Sequence, residues 1–187
     1  MGTRHLVCVE LNGQYKVAQY GQFDGYPDHC GVKLKDSLNA YSKQQIRNAV
    51  SRVTLHKMEE IEKFLNFYDS ESELLQNYPF IDRHIASDII DMLVQTEIPN
   101  PILFDSSSFA AESLFCEWAY VINLDDEFFE VYRGFQKEPH PVTERFTHLN
   151  HESDEFYPVK HLKSFGFDEL ANLTEGEFVE QVESLVA

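Results

Sequence analysis

The chain has 187 residues, of which 43% are hydrophobic and 13% aromatic, and its formal net charge at pH 7 is −17. This length and composition are enough to bury one substantial core, so we expect a single domain over 1–187. Direct binding of nucleic acid is disfavoured, because phosphates need cationic partners. No apolar run reaches the length of a membrane span and no secretory signal is evident, which predicts a cytoplasmic protein that does not bind membranes.

The first 31 residues predict a β-hairpin that runs into a polar loop. Apolar runs at 6–11 and 15–20 flank Asn12-Gly13. Asn-Gly is the strongest short-range hairpin signal, because both residues tolerate the positive φ of a type I′ turn. Two glycines and a proline at 21–27 then stop regular structure.

Polar side chains are dense at the start of the first strand and in the loop after the second. Because these two ends lie side by side in an antiparallel hairpin, we expect one candidate ligand site, formed by Thr3, Arg4, His5, Gln22, Asp24 and Tyr26. The alternative interpretation is structural. In that case Arg4 and Asp24 form an ordinary ion pair, and Tyr26-Pro27 closes the end of the core.

The opening Met-Gly-Thr-Arg-His-Leu and the segment Tyr-Gly-Gln-Phe-Asp-Gly-Tyr-Pro at 20–27 resemble a scattered family of mostly uncharacterised phage, bacterial and fungal proteins. Members begin Met-Gly-Thr-Arg and carry Tyr-Gly-Gln-(Trp/Phe)-Asp-Gly-Tyr-Pro. The match covers about the first sixth of the chain. The family commonly continues with Ser-Gly-Gln-Gly, where this chain has Asp-His-Cys-Gly at 28–31. The resemblance implies no established activity, and it allows a phage-encoded protein that acts in the host cytoplasm.

Residues 32–97 predict a helical region. Apolar residues at helical spacing, together with Ser42 and Asp82 as caps, predict helices at about 32–41, 43–53, 54–69, 72–77 and 82–95. The helix at 54–69 carries an apolar stripe from Leu55 to Leu65 and Tyr68, with acidic residues opposite.

Residues 98–187 predict an acidic β-hairpin region with a C-terminal helix. We expect a short strand at 102–104, and then serines at 106–108 that form either a flexible turn or the cap of a helix at 109–114. A hairpin at 115–135 with its turn at Asp125-Asp126 and another strand at 157–161 follow. Residues 162–173 read as a loop, and Thr174-x-x-Glu177 is a capping box that opens the last helix. With the first hairpin, this order predicts an α+β fold, an antiparallel sheet with the helices packed on it.

The negative charge is concentrated in the second half of the chain. Residues 1–96 hold 10 Lys and Arg against 13 Asp and Glu, whereas residues 97–187 hold 5 against 19. Two interpretations remain open: a face that only keeps the protein in solution, or a surface for a partner with a basic surface, centred on 125–130 and 152–155.

Composition and spacing identify no cofactor or metal site. Cys8, Cys30 and Cys116 are odd in number and lack Cys-x-x-Cys spacing, which predicts reduced thiols. The histidines and carboxylates of 136–156 match no standard zinc pattern. The serines at 106–108 lack the Gly-x-Ser-x-Gly or Ser-x-x-Lys context of a nucleophile.

The favoured function is a binding or interference module, which engages either a basic protein partner or a small polar ligand at the N-terminal cluster. The alternative is an amidohydrolase-like hydrolase with its site at the first hairpin. In it, Asp24 or His5 is the general base, and Arg4 and Gln22 orient or stabilise an anionic group. Its chain order is similar to that of N-terminal-nucleophile amidohydrolases. The nucleophile of those enzymes is residue 1 after processing, whereas removal of Met1 from this chain would expose Gly2. The sequence leaves the oligomeric state open.

Overall fold

The computed structural model describes residues 2–61, 63, 66–68, 70–141, 143–149 and 155–186. Within these ranges no helix is both long and apolar enough to cross a membrane. The α+β class is confirmed: a five-stranded sheet carries helices on one face, and a two-stranded sheet lies beside it.

The main sheet has the strand order β2-β1-β5-β6-β7. Its strands are β1 His5–Leu11, β2 Gln14–Gly21, β5 Trp118–Asn123, β6 Phe128–Arg133 and β7 Lys160–Gly166. Both predicted hairpins are present, and they join through β1 and β5. That junction is parallel, so the sheet is mixed, while its other pairings are antiparallel as predicted.

The predicted helix at 54–69 begins instead as a strand. β3 (Thr54–Lys57) pairs in parallel with β4 (Ile102–Asp105), and a 3₁₀ turn at Met58–Glu60 follows it. Short apolar runs cannot separate strand from helix by spacing alone, and here a partner strand about 48 residues away in sequence decided the outcome. Leu65, which the predicted stripe included, lies outside the described residues.

Six α-helices have both ends among the described residues. They are α1 Val32–Ala40, α2 Lys43–Ser51, α3 Glu71–Asn77, α4 Ile89–Gln95, α5 Phe167–Asn172 and α6 Glu175–Glu183. The capping boxes predicted at Ser42 and Thr174 are both formed. Asp82 does not begin a helix as predicted, since the helix of that segment starts at Ile89. Its carboxylate instead accepts from the backbone N–H of His84 and contacts that imidazole.

Three other predicted boundaries in the second half were wrong. The last strand is 160–166 rather than 157–161, and residues 167–172 form α5 where a loop was expected. The serines at 106–108 lead into a 3₁₀ turn, Ser107–Ala111. Its backbone is held by tertiary contacts, since Ser106 N–H donates to Ala18 O and Val159 N–H donates to Ala110 O.

The sheet separates two apolar layers. One face, with Val7, Tyr120 and Phe129, packs against the helices in a large core. The other face, with Leu6, Ala119 and Tyr132, is covered by irregular segments that contribute Ala110, Phe146 and Val159. Cys8, Cys30 and Cys116 are buried free thiols.

Candidate functional site

The six predicted site residues lie at one end of the first hairpin, but the sheet divides them. Successive strand residues point to opposite faces. His5 pairs with Gly21 and Leu6 pairs with Tyr20, so Arg4 shares its face with Leu6 and Tyr20, while Thr3 shares the face of His5. Asp24 and Tyr26 lie in the exposed loop beyond.

His5 is part of the support for this loop. The imidazole is 2% exposed, and a Cβ on Gly21 or Gly25 would come within 2.2 or 2.7 Å of it, so both glycines are required by its close approach. Its Nδ1 lies 3.4 Å from Thr3 O. Burial lowers the pKa of His5 from 6.5 to about 4, and its Nε2 finds no hydrogen-bond partner among the described residues. This side chain therefore presents no basic nitrogen at the surface.

The loop is held mainly through its backbone. Gly25 N–H donates to Thr3 O at 3.0 Å, and the hydroxyl of Tyr120 donates to Gly25 O at 2.8 Å. Asp24 adopts a φ of 59°, a conformation that Asp tolerates better than most residues. Tyr26 O accepts hydrogen bonds from the last three N–H groups, 29–31, of the π-helical turn Pro27–Gly31. The predicted ion pair between Arg4 and Asp24 does not form, and the Arg4 guanidinium lies 4.7 Å from the centre of the Phe115 ring.

Tyr20 makes a polar contact that the sequence did not predict. Its hydroxyl donates to Gln22 Oε1 at 2.5 Å. Burial raises the pKa of Tyr20, while the positive charges of Arg4 and Arg83 act in the opposite direction.

The segment 82–84 is fastened along the end of β2 by three consecutive contacts. Gln19 Nε2 donates to Asp82 O at 2.9 Å, and Gln22 N–H donates to Arg83 O at 3.0 Å. The rings of Phe23 and His84 stack with centroids 5.6 Å apart. Because these contacts hold the chain on both sides of Arg83, they fix the position of its Cα atom, from which the side chain extends.

Tyr20 and Arg83 line a cavity of about 500 Å³ between the edge of β2, the two-stranded sheet and the loop at 81–83. Its walls are mostly apolar, and Tyr20 meets the edge of Phe109 there at 4.9 Å between centroids. The lining residues are Gln19, Tyr20, Met58, Ile61, Ile81, Arg83, Phe104, Ser106, Ser108, Phe109 and Glu112. None of the six predicted site residues lines it, although Gln22 adjoins it through its hydrogen bond with Tyr20.

The two arginines near Tyr20 differ from the other four in the chain. Four guanidinium groups donate hydrogen bonds to other parts of the protein, namely those of Arg47, Arg52, Arg133 and Arg145. Arg4 and Arg83 form no hydrogen bond or ion pair through their side chains with the described residues. Arg4 is stacked on Phe115, whereas Arg83 lines the cavity. In a chain with 15 basic residues against 32 acidic ones, an arginine without such a partner in a cavity wall favours a role outside the fold.

A second cavity, of about 430 Å³, lies on the same face of the sheet near β6 and β7. Arg145 binds Glu130 with two hydrogen bonds and also binds Glu10, and the Tyr132 hydroxyl donates to Glu130 at 2.5 Å. Both carboxylates are bound by the same guanidinium, which indicates a structural role for the cluster. In the described part of the chain, no three His, Cys, Asp or Glu side chains form a group that could hold a metal; His151, Glu152 and Asp154 lie outside it.

The acidic residues at 125–130 are largely engaged within the protein. Asp125 accepts the N–H groups of Asn12 and Gly13, which lowers the pKa of its carboxyl. Glu127 pairs with Lys43 and Glu130 with Arg145. This stretch is therefore a poor centre for the partner surface that the sequence suggested.

Searches of protein-family models, of curated proteins and of solved structures found no match to this chain. The likeness of its first 31 residues to the Met-Gly-Thr-Arg family accordingly stays a prediction.

Proposed function

We propose that this protein is a binding module for a small amphiphilic anion, whose apolar body fills the 500 Å³ cavity and whose anionic group meets Arg83. The observation that carries the proposal is Arg83, which lines the mostly apolar cavity and whose guanidinium forms no hydrogen bond or ion pair with the described residues. The predicted N-terminal cluster contributes through Gln22, which accepts the hydrogen bond of the Tyr20 hydroxyl.

The cavity has the properties of a ligand pocket. Small-molecule sites have volumes of roughly 300–1,000 Å³ and are lined mainly by apolar and aromatic side chains with a few polar groups. Here Met58, Ile61 and Phe104 supply apolar wall, and the hydroxyls of Ser106 and Ser108 supply polar contacts. Arginine suits carboxylate, sulfonate and phosphate groups because its planar fork donates two parallel hydrogen bonds.

One acidic residue, Glu112, also lines the cavity. Its carboxylate repels an anion and therefore orients the ligand. The charged end of the ligand should lie toward Arg83 and away from Glu112. This arrangement allows two substitutions of opposite effect at the same site, which a general change in stability would not produce.

We test this with two fluorescent probes of similar shape, the sulfonate 8-anilino-1-naphthalenesulfonate and the uncharged N-phenyl-1-naphthylamine. Arg83→Gln should weaken the sulfonate about tenfold, the size expected for one charge-assisted hydrogen bond at a partly exposed site. Glu112→Gln should strengthen it about threefold by removing a repulsion. Neither change should alter binding of the uncharged probe, and fluorescence titration measures the affinity of both probes for the parent and for each variant.

Two further variants serve as controls. Lys160→Gln removes the same charge as Arg83→Gln from an exposed position on β7 and should leave both probes unaffected. Ser108→Trp fills the cavity and should abolish binding of both. The proposal fails if Arg83→Gln and Lys160→Gln weaken the sulfonate equally, or if Ser108→Trp binds as the parent protein does.

A further inference from the structure

A groove of about 750 Å³ lies where α6 packs against the π-helical turn Pro27–Gly31 and the start of α1, away from the cavity at β2. Val32 and Val179, both partly buried against the main core, provide its apolar floor. Four carboxylates surround that floor. The lining residues are Asp28, Val32, Glu175, Gly176, Val179, Glu180, Glu183 and Ser184.

The four carboxylates of this groove have no cation opposite them. Asp28, Glu175, Glu180 and Glu183 form no ion pair with the described residues, in contrast to Glu127 and Glu130, which are paired. Like charges around a concave surface with low-dielectric walls reinforce one another's potential. The groove therefore attracts a cation more strongly than scattered surface carboxylates do.

Two of these residues are unfavourable for the helix that carries them. Glu180 and Glu183 lie in the last turn of α6, which holds no basic residue, and negative charge there opposes the helix macrodipole. Replacing them by glutamine should slightly stabilise the free protein. Their presence at that end has no explanation within the fold.

Gly176 also lacks a reason within the fold. It lies in the first turn of α6 without a positive φ, and a Cβ at this position would meet nothing within 4 Å. Neither backbone conformation nor packing demands glycine, which is a poor helix former. The missing side chain leaves the groove open beside Glu175 and Glu180.

We propose that this groove docks a basic segment of a partner protein, with lysine or arginine side chains at the carboxylates and an apolar side chain on Val32 and Val179. A second copy of this chain is disfavoured as the occupant, because each copy carries a net charge of −17. A partly apolar floor favours a protein segment over a purely polar cation, since burying that floor needs apolar side chains. This surface is separate from the proposed anion site.

The test uses the full chain and a peptide of about 12 residues with lysines on one helical face and leucines spaced at i and i+4 on the other. A second peptide has serine in place of each leucine, and spermine serves as a cation without apolar groups. Isothermal titration calorimetry should show that the leucine peptide binds at least about tenfold more tightly than the serine peptide. Glu180→Gln/Glu183→Gln and Gly176→Leu should each weaken it about tenfold.

The matched control is Glu97→Gln/Glu138→Gln, which removes two exposed carboxylates elsewhere and leaves the net charge equal to that of the first double variant. It should bind the leucine peptide as the parent does. Gly176→Ala should remain folded with unchanged or greater thermal stability, which separates blocking of the groove from damage to α6. Equal weakening by the two double variants, binding of spermine or the serine peptide as tight as that of the leucine peptide, or no binding at all would each overturn the proposal.

Discussion

Arg145→Met should lower the free energy of unfolding by about 3 kcal/mol, as expected when one partner of a mostly buried ionic group is removed. The Arg145 guanidinium joins Glu10 on β1 to Glu130 on β6, and these three side chains are 20%, 18% and 12% exposed. Without the arginine, two carboxylates remain close together and partly desolvated. Urea denaturation at neutral pH measures the loss.

The loss should come mainly from uncompensated charge rather than from missing contacts. Adding Glu10→Gln and Glu130→Gln to Arg145→Met should therefore recover a large part of it, because neutral groups of the same shape are less costly to bury. Circular dichroism at the start of each titration verifies that the sheet is formed. A triple variant no more stable than Arg145→Met would show that the residues act through packing and not through charge.

Acidification should destabilise the protein through His5, and His5→Phe should remove that part of the response. The folded-state pKa of His5 is about 4 against 6.5 for the free side chain. As pH falls from 6.5 toward 4, the unfolded chain binds a proton on His5 while the folded chain does not. Stability supplied by the neutral form is thus complete above pH 6.5 and declines below it, by about 2.5 kcal/mol at pH 4.5.

The measurement compares the unfolding free energies of the parent and His5→Phe at about pH 7 and about pH 4.5. Carboxylates titrate in both proteins, so the difference between the two pH responses isolates His5. The absolute stability of the variant is not the readout, because a phenyl ring must fit against Gly21 and Gly25. Parallel decline of the two proteins would contradict the assignment of a buried, neutral imidazole.

Much of the fold followed from local signals. Asn12-Gly13 set the first hairpin, and the capping residues Ser42 and Thr174 began their helices at the expected positions. What the sequence could not supply was long-range pairing. The residues of β3 have an apolar spacing that also fits a helix. Only pairing with β4 decides between strand and helix. The parallel contact of β1 with β5 likewise joins segments far apart in sequence.

The candidate site was predicted only in part, for two physical reasons. Arg4 and His5 were treated as neighbours, yet strand geometry sends them to opposite faces, and burial removed His5 from the surface. Arg83 came from a segment predicted to be helical, and tertiary contacts of its segment with Gln19 and Gln22 place it in the same cavity wall as Tyr20. No local pattern marks such a residue. Gln22, which adjoins the cavity through Tyr20, was among the predicted residues.

The most direct test of the central claim, that the cavity beside Tyr20 binds an amphiphilic anion, is an NMR titration of the full chain with 8-anilino-1-naphthalenesulfonate. Backbone amide shifts locate the bound probe without any substitution. We predict the largest changes at residues of the cavity wall, Tyr20, Arg83, Ser106, Ser108 and Phe109. Changes centred instead on the cavity at Arg145 and His161, or spread evenly over the surface, would contradict the account.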